Sequence, residues 1–189
     1  MKTLKDSSID KLFILDVWGY KGSYYWFEKG NDEPKQLVSK LIESIGGGYK
    51  RIYTAGSSKG GTCAIYYGLK YDVDEVYASA CQYHVGKYLH DSVSDQRIIV
   101  GRMGKNYGPD AICVLDNMVP EMIKLHSDSN TVIHLFYSKL ESTYEDHIVD
   151  LELDLTKNSI HYTVTTDDYT RHGDNGLFFS KHLKEKFCQ

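Results

Sequence analysis

The chain has 189 residues, enough for one well-buried core and too few for two comfortable domains, so residues 1–189 read as a single domain. Charged residues make up 25% and the hydrophobic class 41%, with a formal net charge of −4. That balance suits a soluble globular protein and leaves no basic footprint for nucleic acid or an anionic membrane surface. Cys63, Cys81, Cys113 and Cys188 form no C-x-x-C pair; they read as reduced, mostly buried thiols of a cytoplasmic protein, not as a disulfide or zinc framework. No apolar run reaches the ~18 residues of a membrane span, and residues 1–8 lack the apolar stretch of a signal peptide. Several of the sixteen tyrosines are expected to line a surface or cleft where a ring and a hydroxyl are both useful.

In chain order, residues 11–17 read as a buried strand closed by Trp18-Gly19, followed by a Gly/aromatic loop over 20–26. Pro34 opens a helix whose apolar positions Leu37, Val38, Leu41, Ile42 and Ile45 keep a helical period, and Gly46-Gly47-Gly48 stops it. A β-rich run at 51–55 leads through Gly56-Ser57-Ser58-Lys59-Gly60-Gly61 into a helix-compatible run at 62–70. Residues 74–81 read as a strand, and 84–109 as a Gly- and charge-rich segment that forms either a lid or an excursion over the sheet edge. Residues 109–125 read as a helix with an interruption at Pro120. A strand (131–137), a helix (144–155), a strand (160–166) and a final helix (174–187) complete the chain. Strands separated by helices imply a largely parallel sheet covered on both faces.

Gly56-Ser57-Ser58-Lys59-Gly60 carries the chemistry. G-x-S-x-G between a strand and a helix is the nucleophile elbow of α/β-hydrolases, in which a sharp turn lifts one serine, here Ser58, off the strand end. Gly56 and Gly60 are expected to be small because the turn is strained and the helix passes close to neighbouring strands. A serine hydroxyl needs a base within hydrogen-bond reach, itself oriented by an acid, and in this fold the order is Ser, acid, His. His172 follows the last predicted strand, on the edge where Ser58 is presented, and is the expected base. Glu141, just past the strand at 131–137, is the favoured acid, with Asp146 as the alternative. Glu145 and Asp146 also suit a helix start for ordinary dipole reasons. The backbone N–H of Lys59 is an expected donor to a tetrahedral oxyanion. His84, His90, His126, His134, His147, His161 and His182 show no metal-ligand spacing, and no cofactor or metal is called for.

Several runs carry a resemblance: residues 15–26, the Gly56–Gly61 core, residues 66–70, Cys81-Gln82-Tyr83-His84-Val85-Gly86 and onward to Leu89, and Arg171-His172-Gly173-Asp174-Asn175-Gly176. Over nearly its whole length the chain resembles the hydrolase-like domain of accessory Sec system proteins that act on serine-rich adhesins. It is also similar to related bacterial capsular polysaccharide biosynthesis proteins. The resemblance implies an α/β-hydrolase fold with Ser58, Glu141 and His172 as the triad, and acyl chemistry on carbohydrate such as transfer or removal of an O-acetyl group.

The fold expected is a minimal, N-terminally shortened α/β-hydrolase. The early strand and loop that normally supply the second oxyanion N–H have no counterpart before residue 11. Either the chain is a fragment, or a loop such as Gly19–Gly22 supplies the donor, with Gly19 the candidate, or the site is weak. Missing strands would also expose a sheet edge, which predicts a homodimer or a partner chain covering it. Two functions remain open. One is a serine acyl hydrolase or acyltransferase on a small acyl ester or glycan, with Trp18, Tyr20, Tyr24, Tyr25 and Trp26 as a candidate sugar-stacking wall. The other is a non-catalytic interaction module in an export or capsule-assembly complex.

Overall fold

A computed structural model describes residues 3–188. Its centre is a four-stranded sheet in the order β1-β2-β3-β4, formed by Tyr53–Ser57, Glu75–Ser79, Val132–Ser138 and Tyr162–Asp167. Every pairing is parallel. Successive parallel neighbours joined by right-handed crossovers send all the connecting helices to one face. Those helices are α2 (Lys59–Lys70), α3 (Val85–Lys87), α4 (Arg97–Met103), α5 (Pro109–Leu125) and α6 (Val149–Lys157). α1 (Glu33–Ile45) precedes the sheet, and α7 (Asn175–Phe187) follows it and packs on the opposite face against β1 and β3.

Strand alternation sorts the core. Val76 and Ala78 of β2 and Ile133, Leu135 and Tyr137 of β3 join the larger cluster beneath α2, α5 and α6. Tyr77 and Phe136, one residue out of phase, turn to the other face and pack with Phe178, Phe179 and Leu183 of α7. α2 is buried along nine of its twelve residues, which makes it the central helix of the layer. Of the tyrosines, Tyr24, Tyr66, Tyr67, Tyr77, Tyr83 and Tyr137 are core residues. Their hydroxyls find partners as they go in: Tyr67 donates to the Tyr25 carbonyl, Tyr83 to Asp154 and Tyr137 to Glu152.

Three expectations are corrected. Residues 11–17 form no strand and pair with none among the described residues; Leu12, Phe13, Leu15 and Val17 are between 49% and 78% exposed. Their period-two pattern is real, with Ile14 and Trp18 against the core and the alternate side chains outward, but a ladder needs a neighbour and none is hydrogen-bonded there. Pro120 does not interrupt α5, because buried Leu115, Met118, Val119, Met122 and Ile123 hold the helix across the one missing N–H. The segment 84–109 is not a mere edge excursion: Val85, Leu89, Ile98 and Ile99 lie in the main core. Within α1, only Val38 of the predicted apolar stripe is fully buried, while Leu37, Leu41 and Ile45 stay exposed. All four cysteines are free, with Cys63 and Cys81 buried. Among the described residues no helix is long and apolar enough to cross a membrane.

Candidate active site

Parallel register gathers the loops of interest at one edge. Ser57 pairs with Ser79, Ser79 with Phe136, and Ser138 with Asp167. Chain leaving the four strands therefore emerges side by side at their carboxyl ends. Between β1 and α2, Ser58 takes φ 54° and ψ −125°. Only a tightly braced turn holds a non-glycine residue there, and the Ser58 N–H donates to the Ser79 carbonyl at 2.7 Å. Gly56 is required at this turn: a Cβ would lie 2.1 Å from the Gly60 carbonyl oxygen. Gly60 itself faces open space, and the close approach expected there belongs to Gly61, whose Cβ would meet the Ser79 carbonyl oxygen at 3.0 Å.

Ser58, His172 and Glu141 meet. His172 Nε2 is 2.9 Å from Ser58 Oγ, and its Nδ1 is 2.7 Å from Glu141 Oε1. A carboxylate can only accept, so Nδ1 carries the proton and Nε2 is left as the acceptor for the Ser58 hydroxyl. Glu141 is 4% exposed and also accepts a hydrogen bond from Thr143 Oγ1. Burial pushes its carboxyl pKa up, but the hydrogen bonds from His172 and Thr143 outweigh burial and hold it below the usual value. The bond to Glu141 raises the His172 pKa, with partial burial pulling the other way. Asp146 and Glu145 are exposed on a π-helical turn, Tyr144–Ile148; the carboxylate against His172 is Glu141.

Three residues that sequence reasoning passed over complete the surroundings. Thr143 follows the acid by two positions and fixes its Oε1. Asn175, 1% exposed at the start of α7, donates to Ser57 Oγ at 2.7 Å and accepts from Ser79 Oγ. It locks the histidine loop to the elbow. Gln82, past the end of β2, places Nε2 3.1 Å from Ser58 Oγ. The available signal was position: each lies in the chain that follows a parallel strand's carboxyl end, two of them inside the runs that carry the resemblance.

The Gly/aromatic loop is stapled to the elbow. Lys59 Nζ pairs with Asp16 at 2.8 Å, and the Asp16 carboxylate also accepts from the Ser23 N–H and hydroxyl. The Lys59 N–H heads α2, where no intrahelical acceptor exists. By contrast the Gly19 N–H donates to Glu28 Oε1 at 3.0 Å and is committed away from Ser58. The aromatic wall is corrected in part: Trp26 and Tyr24 are 0% and 2% exposed and stack on one another in the core, so neither offers a face to a ligand. Trp18 and Tyr25 are half-buried and meet edge to face. Tyr20 is exposed, with Arg97 over its ring. Among the described residues, no group of three or more His, Cys, Asp or Glu could hold a metal ion.

No sequence-family model matches the chain, and no characterised protein matches it by sequence. Solved structures do. A capsule O-acetyltransferase of Neisseria meningitidis serogroup A, solved with CoA, superposes at a TM-score of 0.72 with 19% identity, covering 87% of this chain and 68% of that one. The Glycosylation Associate Protein (Gap123) complex from Streptococcus agalactiae gives 0.65 with 17% identity, over 88% of this chain but 35% of the other. A fluorophosphonate-binding serine hydrolase of Staphylococcus aureus gives 0.60 with 13% identity, over 86% and 67%. With its parallel sheet, elbow and one-edge site, this chain has an α/β-hydrolase-like fold.

Proposed function

We propose that the protein is a serine-dependent acyl hydrolase or O-acyltransferase, with an acetyl ester of a glycan as the favoured substrate class. The observation that carries the reading is the unbroken hydrogen-bonded chain from buried Glu141 through His172 to a strained Ser58. In the acylation step His172 Nε2 takes the Ser58 proton as Oγ bonds to the acyl carbon. The carbonyl π pair moves onto oxygen, where the Lys59 N–H is one donor. Collapse expels the leaving group, which takes the proton from His172 and leaves an acyl-Ser58 ester. Water or a sugar hydroxyl then repeats the sequence in reverse, giving hydrolysis or transfer. Glu141 holds the imidazole in the required tautomer and stabilises it while it is charged.

The acetyltransferase neighbour solved with CoA supports an acetyl thioester as one donor to try. His172 and Ser58 sit at the open surface of the strand edge, compatible with a bulky acceptor, and Tyr20 with half-buried Trp18 and Tyr25 is the remaining part of a glycan wall. Incubation with p-nitrophenyl acetate, and with acetyl-CoA plus an unacetylated capsular polysaccharide, tests the reading. Turnover that disappears in Ser58→Ala supports it; equal rates in wild type and Ser58→Ala would remove it.

A second reading, a non-catalytic module in an assembly complex, draws on the Gap123 neighbour and on the commitment of the Gly19 N–H to Glu28. The exposed row Phe13, Leu15 and Val17, and separately the exposed Leu37, Leu41 and Ile45 of α1, support a homodimer or partner chain under either reading.

A further inference from the structure

The geometry points to the side-chain amide of Gln82 as the second oxyanion donor. The inference rests on the acyl-Ser58 reading and deepens it. Gln82 is 3% exposed, and its Nε2 lies 3.1 Å from Ser58 Oγ. The carbonyl oxygen of a tetrahedral adduct sits one bond angle from Oγ. A donor already in contact with Oγ therefore needs only a small shift to reach the ~2.7–3.1 Å that oxyanion stabilisation requires.

Gln82 is held at its backbone and at its side-chain tip. Thr62, fully buried in α2, accepts from the Gln82 N–H at 2.9 Å and donates to the Gln82 carbonyl at 2.8 Å. At the tip, Tyr24 donates its hydroxyl to Gln82 Oε1 at 3.2 Å. Burial raises the Tyr24 pKa, so the phenol keeps its proton and remains a donor.

Proton bookkeeping then fixes which way the amide faces. The Ser58 hydroxyl gives its proton to His172 Nε2, so Oγ can only accept from Gln82. Nitrogen must face the nucleophile and oxygen the tyrosine. A neutral, buried N–H already beside the reacting atom costs little reorganisation when negative charge appears. Two donors are thereby available to the developing oxyanion, Gln82 Nε2–H and the Lys59 N–H, while the Gly19 N–H stays with Glu28.

The test is the pre-steady-state acylation rate with p-nitrophenyl acetate in wild type, Ser58→Ala, Gln82→Met, Gln82→Glu and Tyr24→Phe. Gln82→Met keeps the volume and removes the donor; acylation should fall by ~10²–10³. The acidic limb of the pH–rate profile should stay where His172 sets it, a separation that a general structural lesion would not give. Gln82→Glu should fall at least as far, because a carboxylate faces the oxyanion. Tyr24→Phe frees the amide to rotate and should give an intermediate loss with little change in melting. Wild-type acylation in both Gln82→Met and Tyr24→Phe overturns the inference alone. Should Gln82→Met fail to fold, an unchanged rate in Tyr24→Phe and Gln82→Glu overturns it. No Ser58-dependent burst in wild type overturns the acyl-enzyme reading and this inference with it.

Discussion

Replacing Glu141 by glutamine keeps the shape of the side chain and removes one charge from a nearly dry position. In the wild type, Oε1 accepts the His172 Nδ1–H at 2.7 Å and the Thr143 hydroxyl as well. Two losses follow from the change. The imidazolium formed during acylation faces a neutral amide, forgoing a charged hydrogen bond worth about 1.5–3 kcal/mol. An amide can also present N–H to Nδ1, which leaves the other tautomer, with Nε2 protonated and unable to take the Ser58 proton. Together they resemble the acid-to-amide change in a serine triad, roughly a 10⁴-fold loss, or about 5 kcal/mol of barrier at 1.36 kcal/mol per decade. The pH profile supplies an independent sign. On the proposed mechanism His172 acts as a base only when neutral, so activity should rise as pH rises through its pKa, which the bond to Glu141 holds above the ordinary histidine value. Glu141→Gln removes that support, and the acidic limb should move to lower pH. The assay is p-nitrophenyl acetate acylation across pH 5–9, with a thermal melt for each protein. A variant that melts like wild type, acylates within about tenfold of it and keeps the limb unmoved would refute the reasoning.

Three further outcomes are expected. Gly56→Ala drives a Cβ to 2.1 Å from the Gly60 carbonyl oxygen and should cost about 1–3 kcal/mol by thermal or urea unfolding, whereas Gly60→Ala, in open space on a helix, should be neutral or stabilising by ~0.5–1 kcal/mol; the reverse order would contradict the turn geometry. His147 is 4% exposed, accepts from the His84 N–H, and burial pushes its pKa down to about 4. Above the unfolded value near 6.5 neither state binds the proton; below it the unfolded chain does, so stability should be lost as pH falls from about 6.5 to about 4, by at most ~3 kcal/mol. His147→Gln should flatten that slope in urea unfolding at stepped pH, and an unchanged slope would assign the acid sensitivity elsewhere. Leu15 is 78% exposed in the outward apolar row; Leu15→Lys should shift a light-scattering mass from dimer to monomer, and a wild type that is monomeric at high concentration would end the dimer proposal.

Much of the architecture was legible in the sequence because its signals were local. The strand and helix flanking Gly56-Ser57-Ser58-Lys59-Gly60-Gly61 leave one arrangement for Ser58, and the order of alternating elements puts Glu141 and His172 on the same sheet edge as that serine. What failed depended on partners the pattern cannot name. Residues 11–17 have the composition and alternation of a strand, yet a strand exists only where a neighbour supplies the ladder. Trp26 and Tyr24 look like a binding wall by residue type, but their depth is set by α2 and α4 packing on the loop. Gly61 rather than Gly60 makes the close approach because β2 passes beneath it, a fact of sheet register. Gln82 and Asn175 escaped notice for a related reason: neither residue type announces chemistry, and both matter through long-range hydrogen bonds spanning 24 and 118 positions.

The most direct measurement is labelling with a fluorophosphonate probe, read by intact mass and peptide mapping in wild type, Ser58→Ala and His172→Ala. An activated Ser58 should give a single adduct on that residue, absent in Ser58→Ala and formed far more slowly in His172→Ala. A well-folded wild type that takes no label, or one labelled equally in all three proteins, would contradict an activated serine at this elbow.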